Sequence, residues 1–267
     1  MEQPPSGSRT KKSLILPIVG VVVAIAATTT MDATGLFMFS AFALLPLMFL
    51  FWYLDHLRSA SIGFKWGRWR DYFLAILYPI VAIGFVAFIA AMAGAMNFST
   101  TNWTKALLNL VLLSISTFLV AIITEEGFFR GWLWGSLHKR GINPERIVIW
   151  TSIAFTLWHI SAATIAPDFK PPLVQVPIFL VNAAVIGAAW GLMRAISGSI
   201  LVSSASHGLW NGIVYVFFGF GTKAGALGIT NTLVFGPEVG ILGLIINALL
   251  AIALWRFWKR VRNERII

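Results

Sequence analysis

The chain contains no cysteine. Disulfides, thiolate metal sites and a cysteine nucleophile are therefore excluded. Acid is scarce too: 10 Asp and Glu stand among 267 residues, and charged residues of both signs make up 11%. A water-soluble domain would carry roughly 25%. Apolar residues fill the space, at 58% of the chain with 12 Trp and 21 Phe. The formal net charge of +10 does not mark a nucleic-acid partner. Its basic residues fall between apolar runs rather than on one soluble face.

Eight of those runs, at roughly 13–31, 36–54, 72–96, 105–124, 147–166, 173–193, 198–219 and 238–257, are each long enough to cross a bilayer of about 30 Å. The fold class read from them is all-α: a polytopic membrane bundle of about eight transmembrane helices. Residues 1–12 read as a disordered cytoplasmic tail, 13–258 as one transmembrane domain with its core at about 105–219, and 259–267 as a basic cytoplasmic tail. Pro46 and Pro79 are expected to kink the second and third helices. Ala24-Ile25-Ala26 resembles a signal-peptide cleavage site, but the apolar run reaches Thr30, so the first run is read as a membrane helix. With both termini cytoplasmic, 17 of the 20 basic residues fall inside, and only Lys105, Lys170 and Lys223 fall outside. That asymmetry fits the positive-inside rule.

Against this background two adjacent carboxylates stand out, in Thr124-Glu125-Glu126-Gly127-Phe128-Phe129-Arg130. Charge near hydrocarbon costs several kcal/mol and needs a reason. On a helix Glu126 and Arg130 share a face and can pair, whereas Glu125 points about 100° away with no sequence-local partner. Two further spans carry histidine: Phe155-Thr-Leu-Trp-His159 and His207-Gly-Leu-Trp-Asn211, each with its end residues on one face. Ser203 and Ser204 precede His207 by a turn and permit close helix approach. The bland reading is interhelical glue.

The chemical reading gives Glu125 and His159 a water to deprotonate. His207 and Asn211 would donate to a developing oxyanion. A zinc site built on two His and one Glu is the main chemical rival, but His-Glu-x-x-His and other compact ligand pairs are absent. No metal and no other cofactor is expected.

In order and spacing, the three motifs resemble the CAAX protease and bacteriocin-processing (Abi) family, intramembrane glutamic endopeptidases that include type II prenyl endopeptidases. The resemblance covers about 120–215 and rests on Glu125-Glu126-Gly-Phe-Phe-Arg130, Phe155-Thr-Leu-Trp-His159 and His207-Gly-Leu-Trp-Asn211. It implies a metal-independent protease in which Glu125, His159, His207 and Asn211 are catalytic and Glu126, Arg130 and Phe155 support them. Implied partners are the bilayer and a membrane-associated peptide or protein, for which a prenylated C-terminus is one candidate. A prokaryotic plasma membrane is expected, with the site toward the cytoplasm and its cavity open to that side and sideways to lipid. The family also holds immunity and scaffold members, so a non-catalytic peptide-binding protein is the alternative. A proton-coupled transporter would want internal repeats, and none is visible.

Three smaller features complete the reading. Trp66 and Trp69 among Lys65, Arg68 and Arg70 suggest a membrane-surface segment facing anionic head groups. Asn182 and Asn247 lie within spans and are expected to bond between helices. His56 and His138 read as solvated loop residues.

Overall fold

The computed structural model describes residues 13–221 and 223–264. The tail expected at 1–12 and the last three residues, 265–267, lie outside the described residues. Among the described residues, eight helices are long and apolar enough to cross a membrane: α1 Ile15–Ala33, α2 Phe37–Leu54, α3 Trp69–Met92, α4 Trp103–Lys139, α5 Pro144–Thr164, α6 Leu173–Ser197, α7 Ile200–Phe218 and α8 Ile241–Glu264. The eight-span reading holds. The segment read as a basic tail is helical through Glu264, because α8 runs on without a break.

The bundle is arranged for lipid rather than water. Large apolar side chains point outward along the spans, among them Phe88, Leu107 and Leu249. Polar groups are drawn inward, since hydrocarbon offers them no partner. Asn247 donates to Asn182 Oδ1 at 3.0 Å and accepts from the Tyr78 hydroxyl at 3.1 Å, which ties α8 to α6 and α3. Asn182 in turn donates to the Pro237 carbonyl at 2.8 Å. These two asparagines are the interhelical bonds expected of them.

The prolines act differently. Pro79 sits inside an unbroken helix. In α2 the backbone passes through a 3-10 turn at Ala41–Ala43 before the α-helix resumes at Leu44. Phe42, whose carbonyl the Pro46 ring would meet in a regular helix, lies in that turn.

The glycines of α7 set the tightest packing. Gly208 and Gly212 are one turn apart and face α4. A Cβ on Gly208 would fall 2.6 Å from the Phe118 backbone nitrogen, and one on Gly212 would strike the Ser114 hydroxyl. This is the small-x-x-x-small arrangement that lets membrane helices approach closely. Thr117 fastens the contact with a 3.0 Å bond to the Gly208 carbonyl.

The two ends of the bundle differ. At the end holding the α2–α3 and α4–α5 loops, Asp55 accepts from Arg140 Nη1 at 2.9 Å and from Ser136, while Glu145 holds Lys259 at 2.9 Å and Arg262 at 2.6 Å. Here Trp66 is 82% and Trp69 73% exposed, as an interfacial segment requires. Arg68 pairs with Asp71, which raises the guanidinium above its ordinary value. At the opposite end a two-stranded ribbon, β1 Gly219–Phe220 with β2 Lys223–Ala224, extends beyond α7.

Candidate active site

The motif residues converge from three helices. In α4 the regular helix stops at Thr124, whose backbone (φ −117°, ψ −101°) is not helical. The chain then runs as a π-helix over Glu126–Leu133 and returns to α-helix at Trp134. Gly127 and Gly131 weaken the α preference there. π-turns carry an extra residue and recur at functional sites.

His207 lies between the two carboxylates. Its Nδ1–H donates to Glu126 Oε1 at 3.2 Å, and its Nε2 is 3.8 Å from Glu125 Oε2. Trp190 stacks flat on the ring at 3.9 Å between centroids, with an interplanar angle of 14°. His159 approaches the same carboxylate from α5, with Nε2 4.0 Å from Glu125 Oε2. Its Nδ1 is 2.8 Å from the Phe155 carbonyl. A carbonyl only accepts, so Nδ1 carries the proton and Nε2 presents a lone pair toward Glu125.

Glu126 and Arg130 are sealed below. Both are 0% exposed and pair at 3.1 Å. Arg130 also donates to the Gly187 carbonyl at 2.9 Å, and its guanidinium lies 4.3 Å over the Phe155 ring. Arg194 Nε caps the Arg130 carbonyl at 3.1 Å. The expected Glu126–Arg130 pair is present. The Glu126–His207 bond joins residues 81 apart, and helix periodicity carries no trace of it.

Above this layer lies a cavity of about 1140 Å³, lined by Glu125, His159, His207 and Asn211, with Phe155, Trp190 and Tyr215 in its apolar wall. Glu125 is 16% exposed and looks into it. The cavity also holds Glu238, which lies between α7 and α8 and escaped the sequence reading. Trp210 Nε1 donates to it at 2.8 Å. Burial pushes the Glu238 carboxyl above its ordinary value, against the pull of that indole. Among the described residues, no group of three or more His, Asp or Glu is placed as a metal-holding set.

Exposed residues among the cavity's lining include Asn102 and Lys105 at the start of α4, Met38 of α2 and Lys223 of the ribbon. This is the end opposite the basic loops. The buried layer of Glu126, Arg130 and Trp132 lies between the cavity and the basic loops.

All seven motif residues lie within 107–213, and those residues match the family model described as type II CAAX prenyl endopeptidase Rce1-like. Residues 107–213 are an Rce1-like domain. It runs from the first turns of α4 to the end of the α-helical part of α7, and it suggests CAAX-type intramembrane proteolysis. No curated protein matches the chain. Glu238, α1–α3 and α8 lie outside the Rce1-like segment.

Proposed function

We propose that the protein is an intramembrane endopeptidase that hydrolyses a membrane-associated peptide with a water activated by Glu125 and His159. The observation that carries this reading is the pairing of Glu125 Oε2 with His159 Nε2 at 4.0 Å on the wall of a large cavity. Both atoms are acceptors. A water donating to each at ordinary hydrogen-bond lengths of about 2.8 Å spans that separation.

In the reaction this water attacks the scissile carbonyl as Glu125 takes its proton. The oxygen that gains charge is met by His207 Nε2–H and the Asn211 amide. The Glu126 contact at His207 Nδ1 turns Nε2 of the ring toward Glu125. Arg130 balances the charge of Glu126. Collapse of the adduct breaks the C–N bond, and the proton held by Glu125 passes to the leaving amine. The products are a new carboxylate and a new amine. Trp190 stacked on His207 and Phe155 packed against His159 hold the two imidazoles in position. No step requires a metal.

Peptide cleavage by the purified, detergent-solubilised chain tests the reading, with quenched prenyl-peptides and unmodified peptides as substrates. Cleavage that EDTA spares and that Glu125→Ala and His159→Ala each abolish is the expected result. Cleavage removed by EDTA and restored by zinc would overturn it. Peptide binding without cleavage, unchanged in Glu125→Ala, would favour a scaffold or immunity role.

A further inference from the structure

Away from the cavity, one buried charge has no counter-ion. Arg194, in the last turn of α6, is 7% exposed. Its Nε donates to the Arg130 carbonyl at 3.1 Å and its Nη2 to the Ser61 carbonyl at 3.2 Å, and the guanidinium lies 5.6 Å over the Trp134 ring. All three partners are neutral. Among the described residues Arg194 forms no ion pair, and its Nη1 has no hydrogen-bond partner. A buried charge left uncompensated is costly.

A second cation stands at that free nitrogen. Gly198 closes α6 with φ +70°, and a Cβ there would lie 3.9 Å from Arg194 Nη1 and 2.7 Å from Lys65 Nζ. Lys65 is exposed and, among the described residues, likewise forms no ion pair. Its backbone is pinned to the α6–α7 turn. The Ser199 hydroxyl donates to the Lys65 carbonyl, and the Ile200 N–H donates to the Gly63 carbonyl at 3.1 Å. Gly63, with φ +85°, lets the loop pass flush against Arg194, since a Cβ there would fall 2.6 Å from the guanidinium carbon. Glycine adopts both conformations without strain. Two like charges held around one spot repel, and an anion between them relieves both the repulsion and the burial of Arg194. A guanidinium fork beside an ammonium suits a phosphate group. The next residue along the loop is Trp66, and it and Trp69 are exposed as side chains at the level of lipid head groups are.

We propose that Arg194 and Lys65 form a binding site for a phosphate group at the turn joining α6 to α7. An anionic phospholipid head group supplies that phosphate in a membrane, and free phosphate offers the same chemistry in solution. Because Arg194 Nε holds the Arg130 carbonyl, filling the site also steadies the sealed Glu126–Arg130 layer. The inference does not depend on the proteolytic reading.

Thermal midpoints of the full chain in neutral detergent test it, titrated at constant ionic strength with phosphatidylglycerol, phosphatidylcholine or inorganic phosphate. Native mass spectrometry counts the lipid retained. Phosphatidylglycerol is expected to raise the wild-type midpoint saturably, and phosphatidylcholine, whose choline offsets its phosphate, to raise it less. Lys65→Gln should weaken that response about ten-fold, as loss of one charge-assisted bond does, and Lys65→Arg should restore it. Arg58→Gln removes one exposed charge from the same loop and should change nothing. Arg194→Gln should lose the lipid and also lower the midpoint in neutral detergent alone, through its lost hold on Arg130. A rise from inorganic phosphate with none from phosphatidylglycerol would keep the site and assign it to the free ion. Equal weakening in Lys65→Gln and Arg58→Gln would mean general attraction to a basic surface and would overturn the proposal. So would a midpoint that neither lipid nor phosphate moves.

Discussion

Glu125 and Glu126 are neighbours in sequence and occupy opposite environments. Glu126 lies in a sealed layer, bonded to Arg130 and His207 and without exposed surface. Glu125 lies one residue earlier on the cavity wall. It has two imidazole nitrogens at 3.8–4.0 Å and, among the described residues, no closer ionic partner. The sealed layer holds its charges by pairing them, as burial demands. The cavity leaves its carboxylate short of partners, and a reacting group must be left so in order to take a proton. Stability and chemistry are thereby split between two adjacent glutamates.

The largest effects should fall where this split is broken on the cavity side. Glu125→Gln keeps the size of the side chain and removes the base. Cleavage is expected to fall by about 10²–10⁴-fold, the span usual for a general base, with the thermal midpoint in detergent unchanged. A large fall in that midpoint would instead make Glu125 a structural residue and erase the contrast. On the sealed side the pattern reverses. Glu126→Ala leaves Arg130 charged, buried and unpaired, which costs about 3–5 kcal/mol. Unfolding in mixed detergent should show that loss, with activity falling as the fold does. The double change Glu126→Leu with Arg130→Leu should recover much of the stability and none of the activity, because His207 then has no carboxylate at Nδ1.

Much of this was legible in the sequence, for physical reasons. A bilayer forces apolar runs of about 20 residues, so the eight spans read directly. It also makes intramembrane charge conspicuous, so Glu125, Glu126, His159 and His207 could be picked out singly, and the structure brings them together. The rest depends on information no single span carries. The π-helix at Glu126 is a shift of hydrogen-bond register among residues that would suit either helix. The Glu126–His207 bond needs the rotation of α7 against α4. Glu238 sits in a Gly-rich connection with no motif around it.

A smaller effect tests the α4–α7 seam that brings the two halves of the site together. Gly212→Leu would drive a side chain into Ser114. Overpacking of this kind costs about 1–3 kcal/mol. Because the seam carries His207 and Asn211 on one side and leads to Glu125 on the other, activity should fall further than stability alone accounts for. Glu125→Gln in the same background should then add less than it does alone, since sites sharing one geometry are not additive.

The smallest effect concerns the second carboxylate of the cavity. Burial raises Glu238, so the folded chain holds that proton more tightly than the unfolded one does. A group shifted this way contributes stability that is fully present below its unfolded pKa and is lost as pH rises through its folded value. Wild type should therefore lose stability relative to Glu238→Gln between acidic and neutral pH, as thermal midpoints across that range would show. The Trp210 indole favours the carboxylate and limits the size of the drop. A parallel loss in both proteins would mean that Glu238 titrates as an ordinary surface acid, and would leave Glu125 as the cavity's one perturbing carboxylate. If the drop is present, the cavity holds two carboxyls in different settings, one beside the imidazoles and one held by an indole, and the contrast between Glu125 and Glu126 extends to Glu238.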